Sequence, residues 1–171
     1  TGTQTCDGNG NGNIDGTTAA SQHGEWFMFW QHLANAGLIN GTYTGMSAPG
    51  NLDDSLPDVN IPSSRLSGGG WFMQYGGYSS EYFPVVATRN NFRFGAPSII
   101  CLPKEPIVTP EEMFSIDKKI DDSKPGEGLV TAPLTTSSMT PNCVTSDDPS
   151  TADYNVLFRS NECALLMGAS F

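Results

Sequence analysis

Trp71-Phe-Met-Gln-Tyr75, Tyr82-Phe-Pro-Val-Val-Ala-Thr88, Asn91-Phe-Arg-Phe-Gly95 and Ser98-Ile-Ile-Cys-Leu102 follow one another within 32 residues of this 171-residue chain. Each run is short, rich in aromatic and β-branched residues and bounded by Gly or Asn, which predicts successive strands. Connections this tight favour antiparallel pairing. Two helices flank the strand region. Upstream, Glu25-Trp-Phe-Met-Phe-Trp-Gln-His-Leu-Ala-Asn-Ala36 has no internal breaker and runs into Gly37, a natural C-cap. Trp26, Phe29, Trp30 and Leu33 fall on one face, with Phe27 and Met28 off that stripe, so cover on more than one side is expected. Downstream, Thr109-Pro-Glu-Glu-Met-Phe-Ser-Ile-Asp-Lys-Lys-Ile120 opens with a capping residue, Pro at the first helical position and Glu112 placed for a capping box. Met113, Ile116 and Ile120 form its apolar stripe. Gly128-Leu-Val-Thr-Ala132 and Tyr154-Asn-Val-Leu-Phe158 are further strand candidates, and Cys163-Ala-Leu-Leu-Met-Gly168 closes the chain. The expected architecture is one α+β domain over residues 1–171: a helix packed on an antiparallel sheet, with long loops at 1–24 and 40–70.

Composition bounds the function. Charged residues make up 15% of the chain, below the usual quarter, and the formal net charge is −10. So negative a chain does not neutralise phosphates, which argues against a nucleic-acid partner. Cys6, Cys101, Cys143 and Cys163 contain no CxxC pair, so they read as two disulfides formed in an oxidising compartment rather than a zinc site. Of three connectivities, Cys143–Cys163 with Cys6–Cys101 is preferred, because the first closes a short loop rich in turn residues. The longest apolar stretch, Trp26–Trp30, is far too short to span a bilayer. An exported protein carries a signal, so the chain is expected to be a mature or truncated product.

The sharpest chemical motif is Asp7-Gly-Asn-Gly-Asn-Gly-Asn-Ile-Asp15. Oxygen-bearing side chains alternate, Gly occupies the sixth position and an apolar residue the eighth, as at the front of a calcium loop. A hard cation needs six to eight converging oxygens, and alternating Asp/Asn with Gly lets a short segment wrap that tightly. Asp7, Asn9 and Asn11 would give side-chain oxygens, Asn13 its carbonyl, and Asp15 a direct or water-mediated contact. The twelfth position is Thr18 rather than an acid, and Glu25 would close the shell across an insertion. Calcium is the cofactor this set suits, against the plainer reading of a metal-free loop.

Signals for catalysis are weak. His23 and His32 are the only histidines and lie in no HExxH pattern; there is no GxSxG elbow; and Gly68-Gly-Gly70 lacks the Lys of a phosphate loop. Carboxylate pairs such as Asp53/Asp54 and Asp121/Asp122 are ordinary turn chemistry. The chain therefore reads as a non-enzyme. A different function class rests on Trp71, Phe72, Tyr75, Tyr78, Tyr82 and Phe83, whose density among glycines suits either a sheet core or a carbohydrate site of a secreted calcium-dependent adhesin.

Two long segments carry a resemblance. Ser115-Ile-Asp-Lys-Lys-Ile-Asp-Asp-Ser-Lys-Pro-Gly-Glu-Gly-Leu-Val130 is similar to the "ID-x-K-I-DDG-x-P" segment of bacterial proteins with prepilin-type N-termini. Phe29-Trp-Gln-His-Leu-Ala-Asn-Ala-Gly-Leu-Ile-Asn-Gly-Thr-Tyr-Thr-Gly45 resembles their "W-x-H-L-x-x-A-G-L-I-x-G-x-Y-x-G" stretch. The chain thus resembles the globular head of a type IV pilin or type II secretion pseudopilin. That family begins with a hydrophobic helix carrying Glu at its fifth position, and this sequence has no such segment. The resemblance implies a filament subunit at the cell surface or in the periplasm, whose partners are further copies or related pilins, and which meets the membrane only through the missing helix. It also implies that the Cys143–Cys163 region, with Tyr154, Val156 and Phe158, carries subunit contacts. By likeness to major pseudopilins, Asp147, Asp148 and Asp153 within it form a rival calcium site.

Overall fold

A computed structural model describes residues 8–16, 24–47, 54–66, 68–76, 81–84, 87–97, 102–137 and 140–169. The predicted positions Cys6, Asp7, Thr18, His23, Asp53, Tyr78 and Cys101, and with Cys101 most of the strand expected at 98–102, lie outside these residues. The described architecture is α+β. Helix α1 (Glu25–Asn35) is followed by strands β1 (Gly70–Tyr75) and β2 (Asn90–Gly95), helix α2 (Pro110–Ile120), and strands β3 (Val130–Thr131) and β4 (Leu165–Gly168). The strands form one antiparallel sheet in the order β1-β2-β4-β3. The last strand of the chain is thereby inserted between two earlier ones. Neither helix is long and apolar enough to cross a membrane.

The β1–β2 ladder runs from Gly70↔Gly95 to Tyr75↔Asn90. Opposed residues on one face interact directly, with Trp71 stacked on Phe94 at a centroid distance of 4.8 Å. Phe94, Leu165 and Val130 meet Met113 of α2 and the disulfide region in one buried cluster. Phe72 and Met73 join Phe27 and Trp30 of α1 with Tyr43 and Ile61 in another. The Phe27 and Trp26 rings both meet Phe72 edge-on, at 5.7 and 5.4 Å.

Helix α1 ends where Gly37 adopts φ +72, a left-handed conformation that glycine takes without a Cβ penalty. Its buried side is set differently from the expected stripe. Phe27, Met28, Trp30 and Gln31 are buried, while Trp26, Phe29 and Leu33 are only half-buried. The off-stripe residues form the core because the cluster around Phe72 and Ile61 receives Phe27. Helix α2 has the predicted bounds and the full capping box: Thr109 Oγ1 accepts from Glu112 N at 3.2 Å, and Glu112 Oε2 accepts from Thr109 N at 2.8 Å. Its inward side is Met113 and, unexpectedly, Asp117, while Ile120 is about half exposed.

Among the described residues, two expected strands are reduced to single bridges. At Tyr82–Pro84 there is a single bridge, Tyr82↔Pro133, and Ala87 N–H donates to Pro84 O; residues 85 and 86 lie outside the described residues. Pro84 has no N–H to continue a ladder. At Tyr154–Phe158 one bridge, Val144↔Tyr154, gives way to turns closed by Val156 and Phe158 N–H. Of the four cysteines, Cys143 and Cys163 form the predicted disulfide, with Cα atoms 5.0 Å apart.

Candidate functional site: an asparagine loop closed by Glu25

The Gly/Asn run builds itself by local hydrogen bonding. Asn9 Oδ1 accepts the Asn11 N–H at 2.9 Å, and Asn11 Oδ1 accepts the Asn13 N–H at 2.8 Å. Such side-chain turns compete with regular structure and bend the chain at every second residue. Gly10 and Gly12, at φ +74 and +80, supply the left-handed steps between them. The result turns Asn9 and Asn11 onto Asp15, whose Oδ2 accepts both side-chain amides at 3.2 and 2.7 Å.

Glu25 closes this loop from the first turn of α1. Its Oε1 accepts the Asn9 N–H at 2.8 Å and its Oε2 the Asp15 N–H at 3.0 Å. Gly8 passes so close that a Cβ there would sit 2.8 Å from Glu25 Oε1. The loop is also fastened to the sheet. Asn90 Oδ1 accepts the Ile14 N–H and Asn90 Nδ2 donates to Gly12 O, both at 2.9 Å, while Tyr75 N–H donates to Ile14 O at 2.8 Å. Asn90 and Tyr75 are the paired residues that end the β1–β2 ladder. A motif-based reading could not have found Asn90, because it lies 76 residues from Ile14 and resembles any other strand-end Asn.

Asn9, Asn11, Asp15 and Glu25 thus converge, and Asn13 lies on the same turn. Asp15 Oδ2 takes two N–H bonds, from the Asn9 and Asn11 amides, while each Glu25 oxygen takes one and keeps a second lone pair. Asp15 and Glu25 are the carboxylates that could hold a hard cation here; the Asn9 and Asn11 amides present N–H to Asp15, and their Oδ1 atoms accept backbone N–H groups. A cation bound there would neutralise the two carboxylates and cross-link the loop to α1. The chain's own part is to hold Glu25 against the backbone N–H groups of Asn9 and Asp15.

The other acidic groups have different work. Among the described residues, Asp117, Asp121 and Asp122 form a tight carboxylate cluster, with one oxygen from each lying within 4.8 Å of the others. Asp117 is fully buried and accepts the Tyr154 hydroxyl at 2.6 Å and the Ser123 N–H at 3.1 Å. Burial pushes its carboxyl up to about 6, against the pull of those two bonds. Asp121 Oδ2 accepts the N–H groups of Leu129 and Val130, and Asp122 Oδ1 that of Lys124. These three acids therefore hold the turn after α2 and the start of β3, and Asp117 ties α2 to the disulfide region through Tyr154. The rival set disperses: Asp147 Oδ1 accepts from Thr135 N, Asp148 Oδ1 from Ser150, and Asp153 pairs with Lys124 at 2.9 Å. The Ser150 bonds hold the Asp148 carboxyl below its usual range.

The aromatic cluster read from sequence divides as well. Phe72, Tyr82 and Phe83 are core residues. Trp71 is half-buried and lines a surface groove with Trp30, Tyr43 and Phe92. Comparison of the chain with protein-family models, with curated proteins and with solved structures finds no match.

Proposed function

We propose that this chain is the globular head of a prepilin-type filament subunit, acting by self-assembly outside the cytoplasm, with a calcium ion stabilising its Asn9–Glu25 loop. The observation that supports it most is an apolar tip displayed on a fastened loop. Leu157 is 87% exposed, between Val156 and Phe158, which are about 40% exposed. Scattered exposed apolar residues are ordinary, but three in succession on a constrained turn suit a contact surface. The turn is constrained by the Cys143–Cys163 bridge, by the Tyr154–Asp117 hydrogen bond and by the Lys124–Asp153 ion pair. Fixing such a loop before association lowers the ordering cost of binding. The two segments that resemble prepilin-type proteins cover α1 from Phe29 onward and the end of α2 from Ser115.

The test is to determine the gene sequence upstream of Thr1 and to express the complete product with Leu157→Asp. An apolar segment of about 20 residues with Glu fifth, together with loss of filaments in the variant by electron microscopy, supports the proposal. A cleavable signal peptide with a small-residue cleavage site overturns it.

A further inference from the structure

The groove beside α1 has the chemistry of an amphipathic ligand site. It measures about 670 Å³, within the range of small-molecule sites. Four rings, Trp30, Tyr43, Trp71 and Phe92, form its walls, with Trp71 and Phe92 half-buried on the sheet. Asp58, Ser63, Arg65 and Asn40 line it as well, so ring faces and hydrogen-bonding groups share one concavity.

Three features show that this lining is built in place. Asp58 holds φ +64, an uncommon conformation for a residue with a Cβ, and strained backbone of this kind collects at functional sites. Its carboxylate is aimed by the Ser63 hydroxyl, which donates to Oδ1 at 2.6 Å, and its N–H is held by Ile61 O at 2.9 Å. Tyr43 is nearly buried, and its hydroxyl donates to Asn40 O at 3.0 Å beneath Gly41. At φ +110, Gly41 leaves that hydroxyl room; a Cβ there would lie 2.7 Å from it. Finally, Trp30 is 95% buried by its 5% exposure, and its Nε1–H has no acceptor among the described residues. Buried donors without partners are rare.

We infer that this groove binds a neutral saccharide unit, with Trp71 and Phe92 stacked on the apolar face of a sugar ring and Asp58, Arg65 and Asn40 taking its hydroxyls. A purely apolar ligand would desolvate Asp58 and Arg65 without pairing them, which is costly. A charged ligand would meet both signs at the rim. A pyranose, with C–H faces and a hydroxyl edge, satisfies both parts. The site is separate from the loop around Glu25 and from the tip at Leu157, so it stands whether or not the chain assembles into filaments.

The experiment titrates the whole chain with glucose, galactose, N-acetylglucosamine, lactose and cellobiose, read by saturation-transfer NMR and tryptophan fluorescence. At least one sugar should show saturation transfer and a saturable fluorescence change. Asp58→Asn should weaken it at least about tenfold, about 1.4 kcal/mol. Asn tolerates left-handed φ, so this variant keeps the fold. Trp71→Ala should abolish binding, with circular dichroism confirming that it is folded. No signal from any of the five sugars, binding unchanged in Asp58→Asn, or saturable binding of indole alone overturns the inference.

Discussion

Tyr154→Phe removes one hydroxyl and leaves the ring in place, still edge-on to Phe114 at 6.1 Å. The lost atom donates at 2.6 Å to Asp117, a carboxylate with no solvent exposure and only one other described hydrogen bond, from Ser123 N. A hydrogen bond to a charged group contributes about 1.5–3 kcal/mol, and one to a neutral group about 1 kcal/mol. Which figure applies depends on the Asp117 proton. Its folded-state pKa of about 6 lies above the unfolded value of 3.8. Between those values the folded state binds more protons, so this group's contribution to stability falls as pH rises through the window. Removing the hydroxyl that lowers the pKa raises it further, so the variant loses stability over a wider range. The expected cost is therefore about 1 kcal/mol near pH 4.5, where the carboxyl is protonated in both proteins, and about 2–3 kcal/mol near pH 8. Urea denaturation of both proteins at the two pH values measures it. The phenol itself does not interfere, since burial and the neighbouring carboxylate push it up from 10.0. Equal costs at both pH values, or a larger cost in acid, would refute the reasoning.

Calcium at about 100 times its dissociation constant should stabilise the fold by about 2.7 kcal/mol, seen as a chelator-reversible rise in Tm. Glu25→Ala and Asp7→Ala should both remove that rise, and a parent protein whose Tm ignores chelator would exclude the site. Ser123 sits at φ +69, a left-handed conformation that favours glycine. Ser123→Gly relieves left-handed strain and should stabilise by about 0.5 kcal/mol net of the added unfolded-state entropy, measured by denaturation midpoint. Replacing both Cys143 and Cys163 by Ala releases a 20-residue separation and should cost about 3 kcal/mol, read in the same assay.

The helices were legible because their signals are local. The Thr109–Glu112 capping box and the Gly37 terminator act within a few residues, and both helices end where their composition says. Strands β1 and β2 were legible for the same reason, but their pairing was not, because a strand was expected between them at Tyr82–Thr88. The rejected strands show where local patterning stops. Tyr82, Phe83 and Tyr154 have strand-forming side chains, but their neighbours offer one bridge each. Ile120 completes a helical stripe in sequence and faces outward in the structure, because Tyr154 brings a hydrogen-bond donor to Asp117 and makes that acid the inward residue.

The sequence by itself determined the local chemistry: oxygen donors at alternate positions from Asn9 to Asp15, cysteines able to bridge, and two capped helices. These follow from spacing, since the groups involved are near neighbours along the chain. Only the tertiary structure decided which distant groups meet. It carries Asn90 to the asparagine loop, places β4 between β2 and β3, and gathers Trp30, Tyr43, Trp71 and Phe92 around one groove. The physical reason is that long-range pairing is selected by burial and hydrogen-bond satisfaction over the whole molecule, and neither quantity is a property of any short segment.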